Sequence, residues 1–565
     1  MPAIYTVPSN CRDCYKCVRH CPVKAIKVEG NHTEIEEALC IACGECVNTC
    51  PQNAKIPRDD RQAVLDALAS GRKLVLSLAP SFASEFPGEA AKRLIGAAKR
   101  FGFSHISETS SAASAVAHAH VGFAAKQDGR LPVIASSCPV VVNLVEKYYP
   151  EAVGNLAPVA SPMIIHMRWL KSRFGDECFT VFAGPCIAKK QEAERVEYRG
   201  LADAVLTFQE LLSVFAKRGI SYEECIPVSP DNASAKAKSA RSFAVEGGLL
   251  ASAGSGGASD IAITGIDGIR EALDHLEDYS DVRIVEMLAC KGGCIMGSAI
   301  GKDRGSHARR KLVEAYAAEM GDLGAAAPDE YDTSASYSPK DARVLEPMEE
   351  DIARVLALTG KMSPEDELNC GACGYYSCRE KAVAVIRGMA EPEMCMPYMK
   401  SRAETMGNLV VNESPNGIIG INQEMTVMLT NPAMCRITGL SAEKLIGKPL
   451  PAAFDREPFM QVFRDRTTFF REAEGNGGAA WAKEAYFHLQ AKDMVVLLLS
   501  DMSAERRSKE SLVKARRETA EKAGRVIDNQ VRVAQQVAGL MGEAAAETKV
   551  LLTRLIKQLE EDSEK

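Results

Sequence analysis

Between about residues 58 and 300, short apolar runs alternate with segments of helical period. A charged stretch from Arg58 to Arg72 has the spacing of a helix and leads into Lys73-Leu74-Val75-Leu76-Ser77-Leu78, an apolar run of the length of a buried strand. Similar runs occupy Leu131 to Ala135, Phe179 to Phe182 and Ile261 to Ile263, with a helical pattern over Pro87 to Arg100. Strands separated by helices predict an α/β domain with parallel strands, because a parallel pair needs a crossover long enough to hold a helix. Beyond residue 322 the pattern changes: Gly324 to Pro339 is rich in Ala, Asp and Ser and reads as a linker. Near the C-terminus Ile527, Val531, Ala534, Ala538, Met541, Ala545, Thr548, Leu552, Leu555 and Leu559 recur at spacings of four and three, an a/d seam longer than four heptads. A second stripe, Val526, Val533, Val537, Leu540, Ala544 and Leu551, widens the apolar face and favours a helical bundle or a second partner over an isolated two-stranded coil. Small residues in the seam make it a weak homodimer on its own.

A chain of 565 residues exceeds what one hydrophobic core supports, which predicts about three to five domains. Its formal charge of -7, from 68 basic and 75 acidic residues, gives no concentrated positive charge for a phosphate backbone, so no nucleic-acid partner is expected. No apolar run approaches the roughly 18 residues that span a bilayer. The first cysteine motif begins at Cys11, leaving no room for a signal peptide, so a cytoplasmic protein without a membrane partner is expected.

The 19 cysteines are grouped at gaps of two and three residues, which suits thiolates for metal better than a disulfide framework. Cys11-x2-Cys14-x2-Cys17-x3-Cys21-Pro22 is repeated as Cys40-x2-Cys43-x2-Cys46-x3-Cys50-Pro51. This resembles the bacterial two-cluster ferredoxins, in which three thiolates of one run hold a cubane and the fourth holds the other. The resemblance assigns Cys11, Cys14, Cys17 and Cys50 to one 4Fe-4S cluster and Cys40, Cys43, Cys46 and Cys21 to the second; zinc is the structural alternative.

Four further cysteines lie in Ser136-Ser137-Cys138-Pro139, Gly184-Pro185-Cys186-Ile187-Ala188-Lys189 and Glu286-Met287-Leu288-Ala289-Cys290-Lys291-Gly292-Gly293-Cys294. In order and context these segments resemble the signatures of FeFe hydrogenases across about residues 73 to 305. The resemblance implies that Cys138, Cys186, Cys290 and Cys294 hold the cubane of an H-cluster, with Cys294 also bridging to a diiron subsite that carries CO, CN and a dithiolate bridge. Ala79, Pro80, Ser81 and Lys189 fall where that family hydrogen-bonds the cyanides, and Glu192 follows the lysine at the family spacing. An ammonium beside an anionic ligand in a dry site is a strong contact.

The departures from the family point elsewhere than fast catalysis. Ser137 stands where the family has the proton-relaying cysteine, and a hydroxyl is a far weaker acid than a thiol of pKa about 8.5. Ala157 occupies the relay serine's position, and Ala119, His120 and Phe123 stand near where the relay glutamates belong. Gly184 and Leu288 replace methionines that pack on the diiron site, and Ser298-Ala299 interrupt the family's glycine run. Slow turnover is the expectation. His118 and His120 offer an alternative relay, with two surface histidines as the plainer reading.

Downstream, Cys370-x2-Cys373-x4-Cys378 followed by Cys395 resembles a small 4Fe-4S domain, again with zinc as the rival. Cys178, Cys225 and Cys435 lie outside every motif and read as structural. From about residue 407, Ser414-Pro415-Asn416-Gly417, Asn431-Pro432-Ala433, Ile437-Thr438-Gly439 and a closing strand Val495 to Leu499 before Asp501-Met502-Ser503 resemble a PAS sensory domain. Its ligand is unspecified; a haem on His488 competes with a merely packed or exposed histidine. The phosphoacceptor histidine and nucleotide motifs of a kinase do not occur.

The expected architecture is multidomain α/β and α+β: a two-cluster 4Fe-4S ferredoxin domain over 1–58, an α/β H-cluster domain over 59–322, a linker over 323–344, a 4Fe-4S domain over 345–402, a PAS domain over 403–505 and a coiled-coil output helix over 506–565. The resemblance implies three 4Fe-4S clusters plus an H-cluster, slow turnover of H2 and protons, ferredoxin as a candidate electron partner, a homodimer through the C-terminal helix, and a signalling phosphatase or kinase as recipient of a hydrogen or redox signal. Two alternatives stand: a metabolic ferredoxin-dependent hydrogenase, and an electron-transfer protein lacking the diiron subsite.

Overall fold

Each half of the N-terminal cysteine repeat folds as a short helix bearing its third cysteine and then a strand. Cys17 lies on the helix Lys16–His20 and Cys46 on Glu45–Thr49. Strand β1 (Ile4–Thr6) opens the chain, β2 (Ile26–Glu29) pairs antiparallel with β3 (His32–Ile35), and β4 (Lys55–Pro57) pairs antiparallel with β1. The computed structural model describes the chain apart from residues 1, 31, 128–131, 232–238, 256–258, 321–330, 343–346, 475–478, 480 and 563–565. It divides into two units, Met1–Met399 and Lys400–Lys565.

The apolar runs of the first unit become parallel strands. β5 (Leu74–Leu78), β6 (Phe103–Glu108), β7 (Val133–Ile134), β8 (Phe179–Gly184), β9 (Ala204–Thr207), β10 (Asp260–Thr264) and β11 (Ile284–Leu288) form two sheets, ordered β6-β5-β8-β9 and β10-β11-β7. Every residue of β5, β8 and β11 is buried, as strands covered on both faces require. The expected helix at Pro87 to Arg100 spans Glu89–Phe101 and buries Ala91, Leu94, Ile95, Ala98 and Phe101. The strand expected from Leu131 is the shorter β7, and Leu131 lies outside the described residues. Buried ion pairs tie the periphery to these sheets: Glu108, ending β6, meets Arg241 at 2.8 Å, and Arg309 meets Glu85 and Asp303 at 2.7 Å each.

Part of the expected linker is packed instead. Residues 321–330 fall outside the described residues, but Tyr331 is buried, Ser334 bridges Val159, and the Tyr337 hydroxyl donates to the Val159 carbonyl at 2.8 Å. Two tyrosines six residues apart anchor a segment whose composition otherwise resembles a spacer. The cysteine-bearing segment from 370 to 395 folds around the helices Glu349–Leu358 and Cys378–Ile386, which share Ile352, Leu356 and Ala382. It rests on the N-terminal repeat: Lys24 Nζ donates to the Gly374 carbonyl at 2.8 Å and the Val28 amide to the Met389 carbonyl at 3.0 Å. Gly374 is required there, with φ +95° and Val18 Cγ1 only 3.1 Å from where a Cβ would stand.

In the second unit, β12 (Gly417–Ile421), β13 (Val427–Thr430), β14 (Phe469–Glu474), β15 (Trp481–Leu489) and β16 (Met494–Asp501) form an antiparallel sheet of order β13-β12-β16-β15-β14. Helices Pro432–Thr438, Ala442–Leu445 and Glu457–Asp465 cover it, burying Met434, Leu445, Phe459 and Val462 with Ile419, Tyr486 and Val495. The Asn431 side-chain oxygen accepts from the amides of Ile418 and Met434, fixing the turn of the Asn-Pro-Ala motif. His488 is packed, with Nε2 at 2.8 Å from an Asp493 carboxylate oxygen. A 60-residue helix, Ser503–Asp562, leaves β16 directly. Its start is fixed by the Ser503 amide on Asp501, by the Trp481 amide on Ser503 Oγ, and by the Arg506 guanidinium 3.3 Å from the centre of the Trp481 ring.

Candidate metal centres

Electrostatic neighbours link the N-terminal thiols across the two runs. Burial raises the Cys43 and Cys46 thiols most, and Cys40 and Cys21 are among the neighbours that raise both further. Cys21 therefore sits with Cys40, Cys43 and Cys46 although it belongs to the other run. In the remaining group, the Thr33 hydroxyl lies 3.7 Å from Cys11 Sγ and 3.6 Å from Cys17 Sγ, while Cys14 is exposed and Cys50 half-buried. Buried thiols with raised pKa hold their protons until a cation displaces them, as thiolate metal sites require.

Cys138, Cys186, Cys290 and Cys294 come from three separate strand ends. Cys138 caps the helix Pro139–Tyr148 after β7, Cys186 follows β8, and Cys290 and Cys294 follow β11. Burial is the main cause of the rise at Cys186, to about 11, with Cys138 next. Cys290 is raised by burial and then by Cys186, Cys294 and Cys138. Four half-buried thiols, from Cys138 to Cys294, are thus electrostatic neighbours of one another at the carboxyl ends of parallel strands, where α/β sheets place ligands. Among the described residues, no three His, Cys, Asp or Glu side chains converge closely enough for a single metal ion.

The surroundings match the resemblance in several places. Ala79, Pro80 and Ser81 follow β5, whose last residue Leu78 is level with Ala183 of β8. Lys189 Nζ donates to the Glu192 carboxylate at 2.7 Å, on the turn after Cys186, and Lys189 is an electrostatic neighbour of both Cys186 and Cys294. Ser81 Oγ and Ser137 Oγ are buried with no hydrogen-bond partner among the described residues. Buried hydroxyls left in that state can take an additional acceptor-bearing group, so these residues fit an H-cluster.

Other placements depart from expectation. His118 is exposed but His120 is fully buried: Nδ1 lies 2.8 Å from the Val116 carbonyl and Nε2 accepts from the Ser136 amide at 3.1 Å. Burial lowers its pKa to about 4, so at neutral pH it is an uncharged prop for the Ser136-Ser137-Cys138 segment rather than a surface histidine. At Gly184 a Cβ would meet the Phe182 ring at 2.5 Å, so Phe182 fills space that the family's methionine would need. Ser298 Oγ accepts from the Ile187 amide at 3.2 Å, and Ser298 Cβ would lie 2.6 Å from a Cβ on Gly44, pressing the Cys43 loop onto the Cys186 turn. In the third group Cys395 is a neighbour of Cys373 and accepts from Lys361 Nζ at 3.4 Å; Cys378 opens a helix and Cys370 is exposed.

Glu286 was not singled out by the sequence, although it opens the third signature. It is buried in β11, accepts from the Leu249 and Leu250 amides at 3.3 Å each, and burial raises its pKa to about 7. The unfolded chain loses this proton near its ordinary pKa, the folded chain only near 7, so stability falls as pH rises through that window. Glu286→Gln removes a penalty of about 3 kcal/mol above pH 7 and much less of it near pH 5.5. Calorimetry should find the variant's gain in melting temperature clearly larger at about pH 8.5 than at about pH 5.5. A gain that does not change with pH would refute the reading.

The family model described as iron only hydrogenase large subunit, C-terminal domain, matches residues 72–258, which include Cys138 and Cys186 and stop short of Cys290. A 4Fe-4S dicluster domain matches 3–51, an Fe-S cluster family 366–397 and the PAS fold 405–471. The NADP-reducing hydrogenase subunit HndD of Solidesulfovibrio fructosivorans is 24% identical over 46% of this chain and 56% of its own length. The periplasmic Fe hydrogenase large subunit of Nitratidesulfovibrio vulgaris is 28% identical over 30% of this chain and 52% of its own length. The chain spans about half the length of these curated relatives. A solved FeFe-hydrogenase from Chlamydomonas reinhardtii aligns over 50% of this chain and 100% of its own, at 15% identity and a TM-score of 0.40. The chain is a hydrogenase-like iron-sulfur protein, carrying an iron-only hydrogenase large-subunit domain with a 4Fe-4S dicluster domain, an Fe-S cluster domain and a PAS fold.

Proposed function

We propose that this protein senses hydrogen or cellular redox state through an H-cluster and passes the result through its PAS domain and C-terminal helix to a signalling partner. The observation that supports the reading is that half-buried Cys138, Cys186, Cys290 and Cys294 are mutual electrostatic neighbours with Lys189 beside Cys186 and Cys294, while the buried hydroxyls of Ser81 and Ser137 have no hydrogen-bond partner among the described residues. Cys138, Cys186, Cys290 and Cys294 would hold the cubane, and Cys294 would also serve the diiron unit. That unit supplies the reversible splitting of H2 into two protons and two electrons. Lys189, held by Glu192, would offer its charge to the cyanides; Ala79, Pro80 and Ser81 would line the same ligands; Ser137 would be a poor proton carrier that keeps turnover slow. Cys11, Cys14, Cys17 and Cys50, then Cys21, Cys40, Cys43 and Cys46, then Cys370, Cys373, Cys378 and Cys395 hold the three relay cubanes.

The output half of the reading rests on the PAS fold continuing into a helix whose apolar stripes are solvent-exposed. That surface is suited to a second copy and to a phosphatase or kinase as recipient. A ferredoxin-dependent metabolic hydrogenase is the rival, supported by the hydrogenase relatives and opposed by Ser137 and the PAS-helix half. Infrared spectra of anaerobically matured protein should show carbonyl and cyanide bands that change under H2, and iron analysis should give about 18 irons per chain for four cubanes and one diiron unit. Bands absent from a sample with full cubane iron would leave an electron-transfer protein without the subsite. Half that iron, or stoichiometric zinc, would reject the ligand assignment.

A further inference from the structure

Lys55 is a lysine in a place built for an apolar side chain. The two halves of the repeat align as Cys21-Pro22-Val23-Lys24-Ala25-Ile26 and Cys50-Pro51-Gln52-Asn53-Ala54-Lys55, so the counterpart of Lys55 is Ile26. Both are 2% exposed. Lys55 Nζ donates to Thr6 Oγ1 at 2.6 Å and to the Thr33 carbonyl at 2.8 Å, two of its three N–H bonds. Its foremost electrostatic neighbours are the thiols of Cys17, Cys46, Cys11 and Cys50. A buried ammonium is costly unless opposite charge compensates it, and here the facing groups are thiols of both N-terminal quartets.

We infer that Lys55 is a fixed counter-cation for the N-terminal cubanes and makes the one on Cys11, Cys14, Cys17 and Cys50 the electron reservoir of the relay. This rests on the ligand assignment proposed above. Reduction adds one electron with no bond made or broken, and Lys55 keeps its proton and stabilises the more negative form. Net charge and hydrogen bonds to sulfur are what set such potentials. Three of the four thiols facing Lys55 belong to that quartet, and the Thr33 hydroxyl adds its contacts to Cys11 and Cys17. The quartet of Cys21, Cys40, Cys43 and Cys46 lies toward the hydrogenase-like site, since Cys43 is a neighbour of Cys290 and Gly44 presses on Ser298. Lys55 therefore biases electrons from that site outward, where they are held after the hydrogen signal has passed.

The test is a redox titration followed by electron paramagnetic resonance on the full cluster-loaded chain, with iron content measured in each sample. Lys55→Met and Lys55→Gln should each lower the reduced-to-oxidised ratio of one N-terminal cubane about tenfold at fixed potential, which is 59 mV for a one-electron couple. Lys55→Arg should stay close to wild type. If Lys55→Met loses iron, Lys55→Gln decides, because it keeps a donor for the Thr33 carbonyl. An unshifted titration in Lys55→Gln at full iron content overturns the role of Lys55 while leaving the ligand assignment intact. Cys17→Ala retaining full iron and both cubane signals overturns the assignment itself, and the inference with it.

Discussion

Ser137→Cys is expected to raise hydrogen turnover of the matured protein about tenfold or more, because a positioned acid–base group contributes about 10²–10⁴-fold to a proton-transfer step. Ser137 is buried beside Cys138, and its Oγ has no hydrogen-bond partner among the described residues. A hydroxyl there neither gives up nor regains a proton easily near pH 7, whereas a thiol of pKa about 8.5 does both. The gain is capped by the rest of the path. Ala157 is fully buried and offers no proton, and the helix Ser110–Ala124 carries no carboxylate in its sequence. His120 does not substitute for the missing groups, since burial keeps it neutral and both ring nitrogens are engaged. Hydrogen evolution with a small-molecule reductant would be compared at matched infrared band intensities, so that cofactor loading cancels. If wild type already turns over as fast as the thiol variant at equal loading, the argument from slow proton delivery fails.

The cysteine motifs were legible because their spacing is local: gaps of two and three residues set the thiols of each run close together along the chain. The parallel strands were legible because doubly covered strands are continuous apolar runs. What sequence hid was long-range. Nothing near Cys370 says that its segment leans on Val18 and Lys24, some 350 residues earlier, and nothing in a stretch of Ala, Asp and Ser marks Tyr331 and Tyr337 as anchors. His118 and His120 are different: two positions apart on one helix they point about 200° apart, so only one of them can face solvent, and the sequence alone could have separated them. Glu286 sat inside a recognised motif and Lys55 just beyond one. Only burial, which no spacing rule reports, turns them from ordinary surface charges into a carboxyl that titrates near 7 and a cation facing thiols.

Replacing Leu552 and Leu555 together by Asp is expected to abolish self-association through the C-terminal helix and any partner binding that uses it. In a single chain these side chains are 55% and 57% exposed, on a helix whose other seam and stripe positions Ile527, Val531, Val537 and Leu540 are also open to water. At 1.5 Å rise per residue, 60 residues reach about 90 Å, too long a stripe to be covered by the small domain that bears it. Each large apolar side chain buried there contributes about 1.5–3 kcal/mol, and an unpaired carboxylate in its place reverses the sign by several kcal/mol per site. The seam is the sensitive place to cut because its alanines leave little else to hold it. Asp lowers helix propensity by only about 0.7 kcal/mol per residue, so circular dichroism should report an intact helix. Cluster spectra should be unchanged, since the cysteine motifs lie in the other unit. Sedimentation should move from dimer to monomer; a double variant that keeps both its oligomeric state and its partner binding would show this helix to be a solvated tail.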